Sequence, residues 1–183
     1  MTSASVTVAR DRRVTAIGIV GFAAALAAAS QVALPIPGTP VPLTLQPLVV
    51  VVAGLWLGPV AGAASMVLYL VAGAAGLPVF APFGAPGVAR LFGPTGGYLW
   101  AYPIAAWVAG AIGARRSAFW WRALACAAGI ATIHLGGVAQ LAVLTGSLGR
   151  AATLGTLPFL LNDVVKALVG ALLSPRRASH TQD

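Results

Sequence analysis

The sequence predicts an all-α integral membrane protein: a bundle of six transmembrane helices with long outer loops after helices 1 and 3. Three observations carry this expectation. Of 183 residues, 59% are hydrophobic and only 8% charged, against roughly 25% charged in a soluble domain. With a mean hydropathy of +0.92, the chain has too little polar material to clothe a water-facing surface. The apolar residues gather into long blocks, and the arginines stand at the block edges. The net charge of +8 therefore reads as membrane orientation rather than as a phosphate-binding stripe. Cys126, the single cysteine, can form no internal disulfide and says nothing about compartment.

The first block, Val14–Leu34, exceeds the 7–15-residue core of a secretory signal, and further spans follow it, so it is expected to be the first transmembrane helix. The second, Leu43–Ala75, has 33 residues, about 50 Å as one helix at 1.5 Å per residue, against a hydrocarbon core of ~30 Å. It contains "LWLGPVAG", whose Gly58-Pro59 pair is a strong helix breaker. Splitting there gives Leu43–Leu57 and Pro59–Ala75. Thr95–Ala114, Ala123–Leu144 and Leu154–Leu173 complete six spans. Six spans place Arg10, Arg12, Arg13, Arg115, Arg116, Arg122, Arg176 and Arg177 on one side, with only Arg90 and Arg150 on the other. Five would abolish that bias, so the positive-inside rule favours six spans with both termini cytoplasmic. The expected organisation is a single membrane domain over 1–183. Residues 1–13 form a basic cytoplasmic N-terminus, 14–173 the six-helix bundle and 174–183 a cytoplasmic tail, with no linker or internal repeat.

Two outer connections are unusual. "PIPGTPVPLTLQP" (35–47) holds five of the chain's thirteen prolines, which makes it stiff and non-helical; its polar members are Thr39, Thr44 and Gln46. "GLPVFAPFGAPGVARLFGPTGGY" (76–98) mixes glycine, proline and apolar residues with a lone Arg90. Exposed loops are normally more hydrophilic, so this one is expected to pack as a lid or re-entrant segment on the mouth of the bundle. The alternative is a pair of tight connections between tilted helices.

Ionisable residues inside the apolar blocks are the strongest functional signal. In "PFLLNDVVKALVGALL" (158–173), Asp163 and Lys166 stand three apart. On a helix they share a face, where they can neutralise one another and share a ligand. Each costs about 2.5–3.5 kcal/mol at the bilayer centre on the insertion scale, and such residues usually mark a substrate or ion path. With Asn162 adjoining and Arg90 descending from the second loop, they would form a polar cluster at the outer mouth of an apolar bundle. That cluster suits a small molecule with an oily body and a few hydrogen-bonding groups. The competing reading is an intrahelical ion pair that only pins packing.

On the first helix, "GFAAALAAAS" (21–30) repeats small residues at four-residue spacing: Ala23/Ala27, Ala24/Ala28 and Ala25/Ala29. This spacing lets another helix approach closely, although an alanine-rich stretch produces it by chance and internal packing uses it too. His134 and Gln140 lie mid-span and are expected to hydrogen-bond neighbouring helices; no second ligand stands at metal spacing from His134. Trp100, Trp107, Trp120 and Trp121 fit packing or an interfacial belt, with Tyr98 and Trp100 near enough to the outer mouth to wall a pocket. The chain has no nucleotide, metalloprotease or serine-hydrolase motif, no Glu and three Asp, so no hydrolytic acid–base pair can be assembled. An enzyme is not expected.

Three stretches in order carry a resemblance over residues 14–173: "LPIPGTPVPLTLQPLVVVVAGLWLGPVAGAASMVLYLVAGAAGLPVF", "GPTGGYLWAYPIAA" and "PFLLNDVVKALVGALL". Together they closely resemble the BioY family, the biotin-specific substrate-binding (S) components of energy-coupling-factor transporters. The resemblance implies a six-helix bundle with a biotin site near its outer face, closed over by the loop after the first helix. Biotin is then the transported ligand, and no cofactor is expected. The partners implied are a membrane-embedded coupling (T) component and two ATP-binding-cassette ATPases, which supply the energy while the S component topples in the membrane. The resemblance places Ala23, Ala24, Ala27 and Ala28 against the coupling component, and Asp163 and Lys166 on the ligand. Asn162, Arg90, Thr44, Gln46, Thr95 and Tyr98 are further candidates in the wall or lid. Asp163 could accept from the ureido nitrogens, Lys166 donate to the ureido carbonyl and Arg90 hold the carboxylate, or the ends could be reversed. Pro47 after Gln46 departs from the family's pattern and could shift the start of the second helix. A self-sufficient secondary transporter, with Asp163 as the proton-coupling group, and a purely structural membrane subunit are the competing classes.

Overall fold

The structure is a computed structural model that describes the backbone of residues 3–175 and the side chains of 12–175. Among the described residues, helices cover most of each stretch where the sequence predicts one. They are α1 (Ser3–Gln31), α2 (Gln46–Leu57), α3 (Pro59–Ala74), α4 (Gly96–Gly113), α5 (Phe119–Thr145), α6 (Leu148–Gly155) and α7 (Leu160–Leu173). Among the described residues three segments are long and apolar enough to cross a membrane, Arg12–Gln31, Phe119–Thr145 and Leu148–Leu173, and α2 and α3 are shorter apolar helices.

The α2–α3 break falls at Gly58-Pro59. Gly58 takes φ +83°, its N–H still donates to the Gly54 carbonyl at 2.9 Å, and Pro59 opens α3. Glycine supplies the left-handed backbone, and proline suits a first helical turn that needs no N–H. Pro47 likewise stands in the first turn of α2.

Three expectations need correction. α1 begins at Ser3 rather than Val14, so the basic N-terminal segment is helical; Arg176 and Arg177 lie outside the described residues. Its far end stops at Gln31, because Ala33–Leu34 (β1) pair antiparallel with Leu43–Thr44 (β2), which closes the proline-rich loop into a pinched hairpin. The last block is not one helix. α6 and α7 are separated by a 3₁₀ turn over Leu157–Phe159, where Pro158 has no N–H to give.

That break frees two carbonyls, and both are used. A continuous helix would pair Leu154 O with the N–H of residue 158, which proline lacks; Thr39 of the first loop donates to it at 2.7 Å. The Phe159 N–H bonds Thr156 O instead of Gly155 O, and Gly155 O accepts from the Tyr98 hydroxyl at 2.7 Å. The last block thereby anchors both the outer loop and the centre of the bundle.

α4 and α5 make the most extensive pairing, with α3 and α2 against α4 and α7 against α5. Small residues permit it: a side chain on Gly136 would come within 2.7 Å of the Ala101 Cβ, and one on Gly137 would enter the Tyr98 ring. In the second outer loop Phe80 and Leu91 are buried, with Phe80 edge-on to Tyr69 at 5.4 Å between ring centres, whereas Leu77, Phe83, Val88 and Phe92 are exposed. Its 3₁₀ turn, Gly87–Phe92, is held by Gln140, whose amide donates to Leu91 O and Gly93 O. The outward faces carry Ile17, Val20, Trp120, Leu135, Val143 and Leu161, all exposed. In water such a surface would aggregate; in lipid it is the expected exterior.

Candidate functional site

At the end of the bundle where α2, α4 and α7 begin, a cavity is lined by α2, α4, α5, α7 and both long loops. Its walls are mostly apolar: Val41, Pro42, Pro47, Phe80, Leu99, Ile133 and Phe159 contribute. Its polar groups converge from several elements, the composition expected of a small-molecule site.

Seven of the eight candidate binding residues line it: Asp163, Lys166, Arg90, Thr44, Gln46, Thr95 and Tyr98. Asn162 does not. It precedes Asp163 on α7, and one residue along a helix turns the side chain by about 100° away from the shared face. Trp100 also stays outside, half-exposed with its indole N–H on Leu91 O, although Tyr98 walls the cavity as expected.

Asp163 and Lys166 are buried and paired, Nζ to Oδ1 at 3.0 Å. The other carboxylate oxygen, Oδ2, lies 2.6 Å from His134 Nε2 on α5. Sequence spacing predicted a hydrogen bond from His134 to another helix but not which one. The two residues are 29 apart, and nothing in local periodicity joins them. His134 also lines the cavity, so it is a site residue that the sequence did not single out. Its Nδ1 lies 3.1 Å from Gly155 O, the carbonyl freed by the α6–α7 break. The combination of Gly155 with Pro158 was the one available signal for that break.

Tyr98 stands edge-on to the His134 ring, 6.1 Å between centres, with its hydroxyl on the same Gly155 carbonyl. On the opposite wall the Gln46 amide donates to the Tyr69 hydroxyl at 2.8 Å, and Thr44 lies within 3.4 Å of Gln46 Oε1. Arg90 is buried in the lid, where Nη1 and Nη2 donate to the carbonyls of Phe83 and Ala81. Burial lowers its pKa from the ordinary guanidinium value, with Tyr69 opposing the shift. Arg90 thus braces the second loop with part of its donor set; a guanidinium has five N–H groups, leaving others for a ligand.

The alanine pattern on α1 divides by face. Ala23 is buried and Ala27 packs against the core, so both serve internal packing rather than a partner, a correction to the expected docking set. Ala24 and Ala28 are exposed.

The comparisons with known proteins bear on this geometry. The family model described as the BioY family matches residues 2–183. A probable biotin transporter BioY of Pyrococcus horikoshii is 41% identical over 142 residues, covering 78% of this chain and 83% of that protein. A biotin transporter BioY of Thermotoga maritima is 34% identical over 141 residues, covering 77% and 83%. The crystal structure of an S-component for biotin from an ECF-type ABC transporter shares the fold, with a TM-score of 0.82 over 94% of this chain and 91% of that one, at 23% identity. These relatives are transporters and not enzymes, and the apolar helices make this chain a multi-pass membrane protein. By the match along its whole length, the chain belongs to the BioY family.

Proposed function

We propose that this chain captures biotin at the membrane and mediates its uptake as the S component of an energy-coupling-factor transporter. The observation that carries this is the buried Asp163–Lys166 pair, set with His134 in the wall of a cavity that combines apolar side chains with several hydrogen-bonding groups. Biotin has matching chemistry: an apolar bicycle and chain, a ureido group with two N–H donors and a carbonyl, and a terminal carboxylate. Asp163 accepts from the ureido nitrogens, Lys166 donates to the ureido oxygen, and the carboxylate lies toward the free N–H groups of Arg90. Thr44, Gln46, Thr95 and Tyr98 complete the wall. Closure of the two long loops over the mouth excludes water, which strengthens each polar contact.

No nucleotide-binding motif occurs in the sequence, so energy comes from partner ATPases through a membrane-embedded coupling component. The exposed Ala24 and Ala28 offer that component a face of small residues. Arg12, Arg13, Arg115, Arg116 and Arg122 belong to the end of the bundle opposite the cavity. Their excess there puts both termini in the cytoplasm and the biotin site on the outer side.

The test is calorimetric titration of biotin into the detergent-purified chain beside an Asp163→Asn variant that remains monodisperse. One-site binding by the parent, reduced at least about 100-fold in the variant, is expected from loss of a buried charged acceptor. A well-folded parent that binds no biotin overturns the proposal. Biotin methyl ester in the same titration reads the carboxylate contact: an Arg90→Gln variant should lose its preference for the acid over the ester.

A further inference from the structure

We propose that His134 is a positioning residue for Asp163, holding a proton between its Nε2 and Asp163 Oδ2, and that this proton makes ligand capture pH-dependent. The inference rests on Asp163 being part of the biotin site, as proposed above.

The case is an inventory of donors and acceptors. A neutral imidazole has one N–H and one bare nitrogen. Here both ring nitrogens face oxygens that accept: Nδ1 lies 3.1 Å from Gly155 O, and Nε2 lies 2.6 Å from Asp163 Oδ2. A backbone carbonyl can never donate. A neutral ring with its proton on Nδ1 would set a bare Nε2 against a carboxylate oxygen at 2.6 Å, lone pair to lone pair. Moving the proton to Nε2 satisfies Asp163 but sets a bare Nδ1 against Gly155 O, with only the Thr156 hydroxyl, at 3.4 Å, to offer a proton. One proton beyond the neutral ring and the carboxylate satisfies both contacts. It makes either an imidazolium beside a carboxylate or a neutral imidazole beside a carboxylic acid; both contain the same atoms.

The surroundings keep that proton in the pair. His134 and Asp163 form the partition between the cavity and an apolar groove that opens between α5 and α7, so neither side supplies a dense shell of water. The titratable and charged groups facing the pair are few. α7 brings Lys166, on the other oxygen of Asp163. α4 brings Tyr98, and Tyr102 shares the cavity lining. α6 and the turn after it offer the Gly155 carbonyl, Thr156 and Phe159, and α2 contains no titratable residue. Across the cavity stands Arg90. With Lys166 and His134 on its two oxygens, Asp163 is fixed in one orientation with its remaining lone pairs free for a ligand. Loss of the proton as pH rises leaves the ring one N–H for two acceptors, so it can no longer donate to Asp163 and Gly155 O together, and the carboxylate is held less firmly.

The test combines two measurements on the full-length chain. Biotin affinity is titrated across pH for the parent, His134→Gln and His134→Leu. Gln can donate to Asp163 but does not titrate; Leu cannot donate. The parent should lose roughly tenfold or more in affinity as pH rises, the size of one charged hydrogen bond. His134→Gln should keep its acid-side affinity with a flatter profile, and His134→Leu should bind weakly at every pH. An unchanged slope in His134→Gln overturns the proposal. The second measurement needs no substitution at the site: ¹⁵N resonances of the labelled imidazoles, with His134 distinguished from His180 by a His180→Gln variant. Two protonated nitrogens on His134, or a proton shared between Nε2 and Asp163, support the proposal, whereas a bare Nδ1 at neutral pH overturns it even if the variants do not fold. A parent that binds no biotin fails the functional proposal separately, and the imidazole spectrum still decides the proton.

Discussion

At the scale of single residues, Asp163 and Lys166 present a stability problem as well as a proposed ligand contact. Each is buried with the other as its charged partner at 3.0 Å, and His134 completes the carboxylate. Removing one member leaves an uncompensated charge in a dry interior, which costs about 3–5 kcal/mol, whereas removing both together is often neutral. Lys166→Met alone should therefore lower the thermal midpoint in detergent, and Asp163→Asn combined with Lys166→Met should recover much of it. Biotin binding should be lost in both. Recovery of binding along with stability would show that the pair only pins the helices. The i,i+3 relation of Asp163 and Lys166 could be read from the sequence, since helical spacing alone brings them together. The His134 contact could not: it joins two elements whose mutual placement depends on every helix between them.

At the scale of elements, the α6–α7 break organises the mouth of the site. Pro158 leaves Leu154 O to Thr39 of the first loop, and the 3₁₀ turn leaves Gly155 O to Tyr98 and His134. The pinched hairpin is thus tied to α6 by the Thr39 side-chain bond as well as held by its own β1–β2 pair. Thr39→Val keeps the shape and removes that bond. We expect faster amide exchange over 35–45 and faster biotin dissociation, by a few-fold, with the association rate little changed; a net bond of this kind contributes about 1 kcal/mol. Equal dissociation rates would place loop closure elsewhere. The Gly58-Pro59 break was legible because both residues act locally, by φ and by a missing N–H. The second break was not read from the sequence, which predicts one span over Leu154–Leu173, and which groups claim the freed carbonyls is a matter of packing.

At the scale of the whole molecule, the two ends and the outer surface divide the work. One end gathers the candidate cavity beside the two long loops, and the other carries five of the described arginines. Between them, Ala24 and Ala28 mark the face of α1 turned away from Ala23 and the core. Bulky residues there should obstruct a helix that approaches closely. Ala24→Trp with Ala28→Trp is expected to abolish co-purification with the coupling component and ATP-driven uptake while leaving biotin affinity within about twofold, since neither residue lines the cavity. Normal assembly by the double variant would move the docking face to another helix.

The sequence by itself determined what short-range chemistry can encode. Hydropathy and arginine placement marked the helical stretches, glycine and proline marked the α2–α3 break, and helical spacing paired Asp163 with Lys166. The tertiary structure alone decided that His134 meets Asp163, that Arg90 braces Phe83 and Ala81, and which alanines of α1 are covered, Ala23 being buried and Ala24 exposed. The physical reason is range. Periodicity and backbone preference act over one or two turns of chain, whereas the partners of a buried polar group are set by how distant helices pack, and a buried donor or acceptor takes whichever partner that packing brings within 3 Å or so.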